Sequence, residues 1–405
     1  MTTSLQIRVV GPLAPFAAGF ARSLVRQGYT RHSATQQMRL MAHLSRWLAG
    51  ERLVASELHT TAVERFLRAR RDVGYAQYLT TKAMRPILTS LRDQGVSLTS
   101  PSSVARGPVD FTIERYRQYL THERGLTEST VCGYVHAVRP FLHGRISPDG
   151  LTLDWASMDA ADITAFVVGH VPHQSRGTAT LTVTALRSLL RFLHLDGTLA
   201  RPLAAAVPAV ARWRLAGLPK GLSPAEVRAL LASCDRRTAM GRRDFAVLTT
   251  LVRLGLRAGE LAALRLDDIN WPAGMIVIRG KGHRLEQLPV PVDVGDAVVA
   301  YLRRGRPVTA TARTVFVRRR APHDALSNNG VSAIVFAAAH RAGIGSVRAH
   351  RLRHTAATDM LRAGAPLTEI AQLLRHRRVL TTAIYAKVDR VALRTIARPW
   401  LGGVV

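Results

Sequence analysis

Acidic side chains are in short supply in this sequence. Its 405 residues hold 27 Asp and Glu against 57 Lys and Arg, a formal net charge of +30 at pH 7. A fold so unbalanced repels itself, so the partner it implies is a large polyanion, with nucleic acid the leading class. An anionic membrane surface is the competing class, but the basic residues run along the whole chain instead of gathering in one amphipathic segment. Lysine is scarce too: it occurs only at positions 82, 220, 281 and 387, and the other 53 basic residues are Arg. Each Lys therefore stands out, because a lysine can give up a proton and an arginine cannot readily do so. The two cysteines, Cys132 and Cys234, are too few for a disulfide framework and too far apart for a zinc pair, which fits a reducing compartment. No stretch reaches the roughly 20 apolar residues of a membrane span. The apolar segment Val9–Phe20 (VVGPLAPFAAGF) is broken by Gly and Pro and lacks the charged lead-in of a signal peptide. The expectation is a cytoplasmic protein with no membrane partner.

What is present is mostly helical patterning. Phe16–Gln27 reads as an amphipathic helix closed by Gly28. Ser33–Ala49 places Met38, Met41, Leu44, Trp47 and Leu48 at helical spacing, with Ser33 the expected cap. Such a stripe reads as core packing, not as a cofactor box. A second block echoes the first: GYTRHSATQQMRLMAHLSRWL (Gly28–Leu48) aligns with GLTESTVCGYVHAVRPFLHGR (Gly125–Arg145), so that Thr30 falls on Thr127, Ser33 on Thr130 and Leu44 on Phe141. Phe66–Gly95 resembles Phe166–Gly197 in the same way. Two tandem bundles of about four helices follow from this, the alternative being convergent amphipathic patterning. Arg31, Arg39, Lys82, Arg85, Arg176 and Arg187 are their candidate phosphate contacts, each with a plain solvated charge as the alternative. The expected fold class is mainly α. Residues 1–105 form an N-terminal helical domain that repeats the next, 106–205 form a second helical domain, and 206–218 form a linker. Residues 219–405 form an α+β domain, mostly helical with a small antiparallel hairpin sheet.

In that last domain, Ser223, Pro224 and Glu226 make a capping box with Pro at the first helical position. The apolar helix Phe245–Arg253 leads into GLRAGEL (Gly255–Leu261), with Arg257 at the start of the turn. Met275–Arg279 and Leu285–Val292 read as strands around Gly280-Lys281-Gly282-His283, which puts the Lys281 ammonium at a hairpin tip. Helices are expected over Ser332–Ala342, His350–Arg362, Leu367–Leu374 and Thr381–Ile396. His350 and Arg353 then share a helix face, and His376 and Tyr385 follow. His350 and His354 could instead bind zinc as in an H-E-x-x-H layout, but Arg351 and Arg353 lie between them and no carboxylate does. Asp267 and Asp268 could begin a two-metal site but lack an evident third carboxylate, and read as a turn. Glu260 could be catalytic, but it is expected instead to hold a nearby Arg or backbone group in place.

Taken in order, Arg257, Lys281, His350, Arg353, His376 and Tyr385 resemble the Arg…Lys…His-x-x-Arg…His…Tyr pattern of the tyrosine recombinase (phage integrase) family. The local matches are GLRAGEL (255–261), RGKGHRLEQLPVP (279–291), AHRLRHTAA (349–357), LLRH (373–376) and TTAIYAKV (381–388). Two departures stand out: Arg375 sits where many relatives have Gly, and LEQLP (285–289) replaces the more usual K-x-R-x-V-P. The resemblance implies a catalytic domain from about residue 219 and a SAM-like core-binding domain over 106–205. It also implies a homotetramer on two paired double-stranded DNA sites, alone or with sister recombinases, a Holliday-junction intermediate, and a tail (386–405) that docks on a neighbouring protomer or packs on its own domain.

The chemistry of the residues agrees with that resemblance. Two Arg forks can hold the nonbridging oxygens of a phosphodiester and stabilise the charge of a five-coordinate transition state. Ionising a free tyrosine at pH 7 costs about 4 kcal/mol, so a base must take the proton as Tyr385 attacks, and His350 is the natural one. Lys281 can protonate the leaving 5′ oxygen, and His376 can donate a hydrogen bond to the phosphate. The 3′-phosphotyrosyl product conserves bond energy, so the expected reaction uses no ATP, metal or cofactor. Within the same chemistry the alternative is type IB topoisomerase-like relaxation; outside it, a DNA-binding regulator without catalysis.

Overall fold

The computed structural model describes residues 7–96, 107–209, 221–280 and 285–375. The chain divides into two compact units, residues 1–100 together with 215–405, and residues 101–214. Among the described residues no helix is long and apolar enough to cross a membrane.

The first hundred residues form α1 (Ala17–Arg26), α2 (Arg31–Gly50), α3 (Thr60–Asp72) and α4 (Thr81–Asp93). Phe20, Met38, Met41, Leu44, Phe66 and Ile87 belong to one buried cluster among them, so the Met stripe is core as its spacing implies. The cap of α2 differs from the expectation. Thr30 is extended (φ −62°, ψ 153°) and its hydroxyl accepts the Ser33 N–H, so the helix begins at Arg31 and Ser33 lies inside its first turn.

The unit 101–214 holds α5 (Pro108–Gln118), α6 (Glu128–His143), α7 (Ala160–His170) and α8 (Arg176–Leu195) around Tyr116, Leu120, Phe141 and Leu189. Local features correspond between α2 and α6. Thr30 and Thr127 are the respective N-cap residues, and each hydroxyl lies 3.0 Å from the hydroxyl three residues on, Ser33 and Thr130. Leu44 and Phe141, which the alignment pairs, are both buried.

Beyond residue 220 come α9 (Pro224–Ala232), α10 (Ala239–Leu254), α11 (Ala258–Ala263), β1 (Ile269–Asn270), β2 (Met275–Arg279) and β3 (Leu285–Pro289). They are followed by α12 (Val292–Arg304), α13 (Asn328–Arg341), α14 (Ala349–Arg362) and α15 (Leu367–Leu373). The sheet is antiparallel in the order β1-β2-β3, with Ile276 opposite Leu288. That register sets Ile276, Ile278 and Leu288 on the buried face. Strand β3 stops at Pro289 instead of Val292. Pro289 and Pro291 have no N–H to give a ladder, and Pro291 becomes the N-cap of α12, a helix that the β-branched run around it masks in the sequence. Helix α10 is the hub, with ten of its residues buried, and it packs against α9, α12, α13 and α14. Its end and the N-terminal turn of α14 frame the site.

Candidate active site

Helix α10 ends at Gly255, whose backbone is left-handed (φ 57°, ψ 27°). A side chain is excluded there twice over: the conformation disfavours it, and a Cβ would stand 2.7 Å from Leu374 Cδ2 and 3.3 Å from Ala356 Cβ. The carbonyl of Gly255 accepts Nη1 of Arg353 at 2.6 Å, and Nη2 of Arg353 donates to the carbonyl of Leu374, the C-cap of α15. A guanidinium only 2 % exposed thus joins two helix C-termini, where unpaired carbonyls favour a cation.

Two residues on, Arg257 is the N-cap of α11. Its N–H donates to Glu260 Oε2 at 2.8 Å, its Nη1 donates to Glu260 Oε1, and its Nη2 donates to the carbonyl of Arg375 at 3.3 Å. Glu260 also accepts Nη2 of Arg375 at 2.8 Å. It therefore holds both an arginine side chain and a backbone group, as its sequence context implies. Burial by itself would raise the Glu260 carboxyl, but the Arg257 N–H, the Arg375 charge and the Arg257 side chain outweigh it and hold the group below the usual carboxylate range.

Arg257, His350 and Arg353 line one cavity of about 1030 Å³, with Arg279, Arg348 and Arg375 also in its wall. His350 sits in the first turn of α14, one turn before Arg353. Burial first, then the charges of Arg353 and Arg257, push its imidazole below the ordinary histidine value. It is therefore neutral at pH 7 and able to accept a proton. The His354 ring packs edge-on against it at 4.5 Å.

His354 is shifted further, to about 4, by burial first and then by His350 and Arg353. The folded protein keeps this ring neutral while an unfolded chain protonates it below 6.5, so the unfolded state binds more protons between pH 6.5 and 4. Stability contributed by the neutral ring is complete above that window and is lost as pH falls through it. After allowance for solvent screening the loss is roughly 1–2 kcal/mol. Urea unfolding of wild type and His354→Gln at pH 7 and pH 4.5 measures it: the variant is expected to lose that much less between the two pH values. Equal losses would remove His354 as the cause.

Lys281, His376 and Tyr385, with most of 206–218, the helix over Thr381–Ile396 and the tail 386–405, lie outside the described residues. Among the described residues no group of three or more His, Cys, Asp or Glu could hold a metal ion. Asp267 and Asp268 pair with Arg313 and Arg279 in the turn that enters β1. Of the candidate phosphate contacts, Arg31, Arg39, Lys82, Arg85 and Arg176 are exposed on their helices. Arg187 is half-buried and donates to the Val207 carbonyl at 2.7 Å, an internal task. Sequence reasoning gave no role to Arg375. Its signal is there in hindsight: a charged residue occupies a place that relatives give to glycine, and its φ of 54° is the reason glycine suits that place.

Residues 220–391 match the phage integrase family model, and residues 113–197 match the phage integrase N-terminal SAM-like domain. A putative integrase/recombinase, y4rA of Sinorhizobium fredii, is 40% identical over 397 residues, 97% of this chain and 95% of that protein. The tyrosine recombinase XerD of Mycobacterium tuberculosis is 34% identical over 308 residues, covering 72% of this chain and 96% of its own. Among solved structures, the XerH site-specific recombinase bound to palindromic difH shares the fold at a TM-score of 0.56 with 18% identity, over 84% of this chain and 94% of that one. A lambda integrase tetramer bound to a Holliday junction does so at 0.54 with 16% identity, over 82% and 90%. With a recombinase-like relative matched over nearly its whole length and both domain models met in order, the chain belongs to the phage integrase family of tyrosine recombinases.

Proposed function

We propose that this chain is a site-specific DNA recombinase that breaks and rejoins duplex DNA through a 3′-phosphotyrosyl link at Tyr385 and exchanges strands between two sites through a Holliday junction. The observation that carries the reading is one cavity lined by Arg257, His350 and Arg353, three members of the sequence pattern drawn from the start of α11 and from α14. The two forks bind the nonbridging oxygens of the scissile phosphate, where charge grows as phosphorus becomes five-coordinate. Tyr385 Oη attacks phosphorus while neutral His350 takes its proton. The bond from phosphorus to the 5′ oxygen breaks, Lys281 protonates that oxygen, and His376 donates to the phosphate. A 5′-hydroxyl from the partner duplex reverses these steps, so bond energy is conserved.

Double-stranded DNA is the partner, held by a homotetramer on two paired sites, with sister recombinases where the sites demand them. The relatives support this: one solved neighbour is a tetramer on a Holliday junction. The domains are residues 1–105, 106–205 and 219–405, with a linker over 206–218 between the last two, the first domain a copy of the second. The matching hydroxyl pairs at the starts of α2 and α6 favour that copy. Action on DNA, with no described helix able to cross a membrane, supports a cytoplasmic location. The test is covalent capture: incubate the protein with a pool of duplexes nicked beside randomised sequence, denature with SDS, and map the linked peptide. The expected result is an SDS-resistant adduct through the 3′ phosphate, recovered with a preferred sequence. Absence of any adduct would sink the reading in favour of a non-catalytic regulator. Adducts with plasmid relaxation but no joining of two selected sites would favour a topoisomerase-like enzyme.

A further inference from the structure

Arg375 is the feature that the recombinase pattern does not use. It is 8 % exposed and carries a left-handed backbone at φ 54°, a conformation costly for any residue but glycine. Its Nη1 donates to the Leu373 carbonyl at 2.8 Å and its Nη2 to Glu260 Oε2 at 2.8 Å. Its Nε is buried with no hydrogen-bond partner among the described residues. A strained backbone, a buried charge and an unpaired donor are all tolerated at one residue for the sake of one ion pair. That pair matters because of what Glu260 does with its other oxygen.

We propose that Arg375 is a positioning residue that shares the charge of Glu260, leaving Arg257 a net positive clamp on the scissile phosphate. The proposal rests on the recombinase reading above. Two guanidiniums meet one carboxylate here, so the trio Arg257–Glu260–Arg375 carries a surplus of one positive charge. Arg257 is the only member with an open side, its side chain 45 % exposed against 6 % for the side chain of Glu260 and 3 % for that of Arg375. The surplus is therefore directed into the cavity. Without Arg375 the buried carboxylate would fall wholly on Arg257, neutralising it and drawing its fork toward Glu260. The Arg375 carbonyl, which accepts Nη2 of Arg257, helps set the direction of that fork.

Arg375→Gly tests this without endangering the fold, because glycine accepts the φ of 54°. Adduct formation by Arg375→Gly on the captured duplex is expected to slow roughly 10- to 100-fold. Arg375→Lys, which keeps the charge, should recover most of that loss. The decisive variant is Arg375→Gly with Glu260→Gln, since Gln can still accept the Arg257 N–H as in a capping box but removes the negative charge. Charge sharing requires the double variant to cleave faster than Arg375→Gly. A merely structural role makes it slower, and a double variant no faster than Arg375→Gly overturns the proposal, as does a single variant within about threefold of wild type.

A second readout needs no DNA. His350 is faced by Arg257 and Arg353 and by the His354 ring. Neutralising Arg257 should move the midpoint of His350 upward, read as the pH profile of its modification by diethylpyrocarbonate with peptide mass spectrometry. If wild type forms no adduct, the recombinase reading fails, and this profile alone decides: a midpoint unchanged in Arg375→Gly overturns charge sharing.

Discussion

Tyr385→Phe is expected to bind the captured duplex as tightly as wild type and to yield no covalent adduct. The substitution removes one oxygen and keeps the ring, so it spares the electrostatic contacts that dominate affinity for DNA. Those contacts come from a chain with a net charge of +30, to which Tyr385 adds nothing. Arg257 and Arg353 also keep Glu260 and the carbonyls of Gly255, Leu374 and Arg375 as partners. What is lost is the only group in the proposed scheme that can form a bond to phosphorus. The rate of adduct formation should drop on the order of 10⁴-fold or more, the scale seen when an enzyme loses its nucleophile. A gel shift before SDS and an adduct assay after it separate the two effects. An adduct that persists in the Phe variant means another side chain is the nucleophile. Loss of the shift together with the adduct means the ring serves binding or folding.

How much of this was legible in the sequence differs from residue to residue. Helices with a strong apolar period and a hydroxyl cap read clearly, because burial and capping act over a single turn or two. The box at Ser223 and Glu226 is one case, and the stripe of α2 is another. The end of β3 was misplaced because strand propensity spoke for Val290 and Val292 while the missing N–H of two prolines decided the matter. The helix α12 was hidden by the same residues. At the site, the spacing of His350 and Arg353 already put them on one face. The task of Glu260 was foreseen because a carboxylate three residues after an N-cap position reaches back to it. What the sequence concealed is contact across large separations. Gly255 and Arg353 are 98 positions apart, and Glu260 and Arg375 are 115 apart. No local period reports such pairs. Arg375 looked like a flaw in a motif, and its use as a second counter-ion for Glu260 became visible only once α11 and the end of α15 were brought together.

Arg353 combines both kinds of information, and its replacement is expected to damage folding and chemistry at once. In Arg353→Ala, the carbonyls of Gly255 and Leu374 lose a charged donor inside the protein, and a space the size of a guanidinium opens beside α10. Each carbonyl left unpaired costs about 1–3 kcal/mol, which puts the total destabilisation at roughly 3–5 kcal/mol. Urea unfolding should show a lower midpoint with an unchanged slope. Arg353→Lys separates the two roles. An ammonium keeps the positive charge and can still donate to one of the carbonyls, but it cannot span two of them while facing a phosphate, because it lacks the planar fork. The Lys variant is therefore expected to recover at least half of the lost stability and yet form adduct about 10²- to 10³-fold more slowly than wild type, the cost of removing one preorganised donor from a developing charge. Adduct rates measured well below the unfolding midpoint keep the comparison clean. If the Lys variant cleaves like wild type, Arg353 works as a bracket between α10 and α15 and the phosphate is held by Arg257 without it.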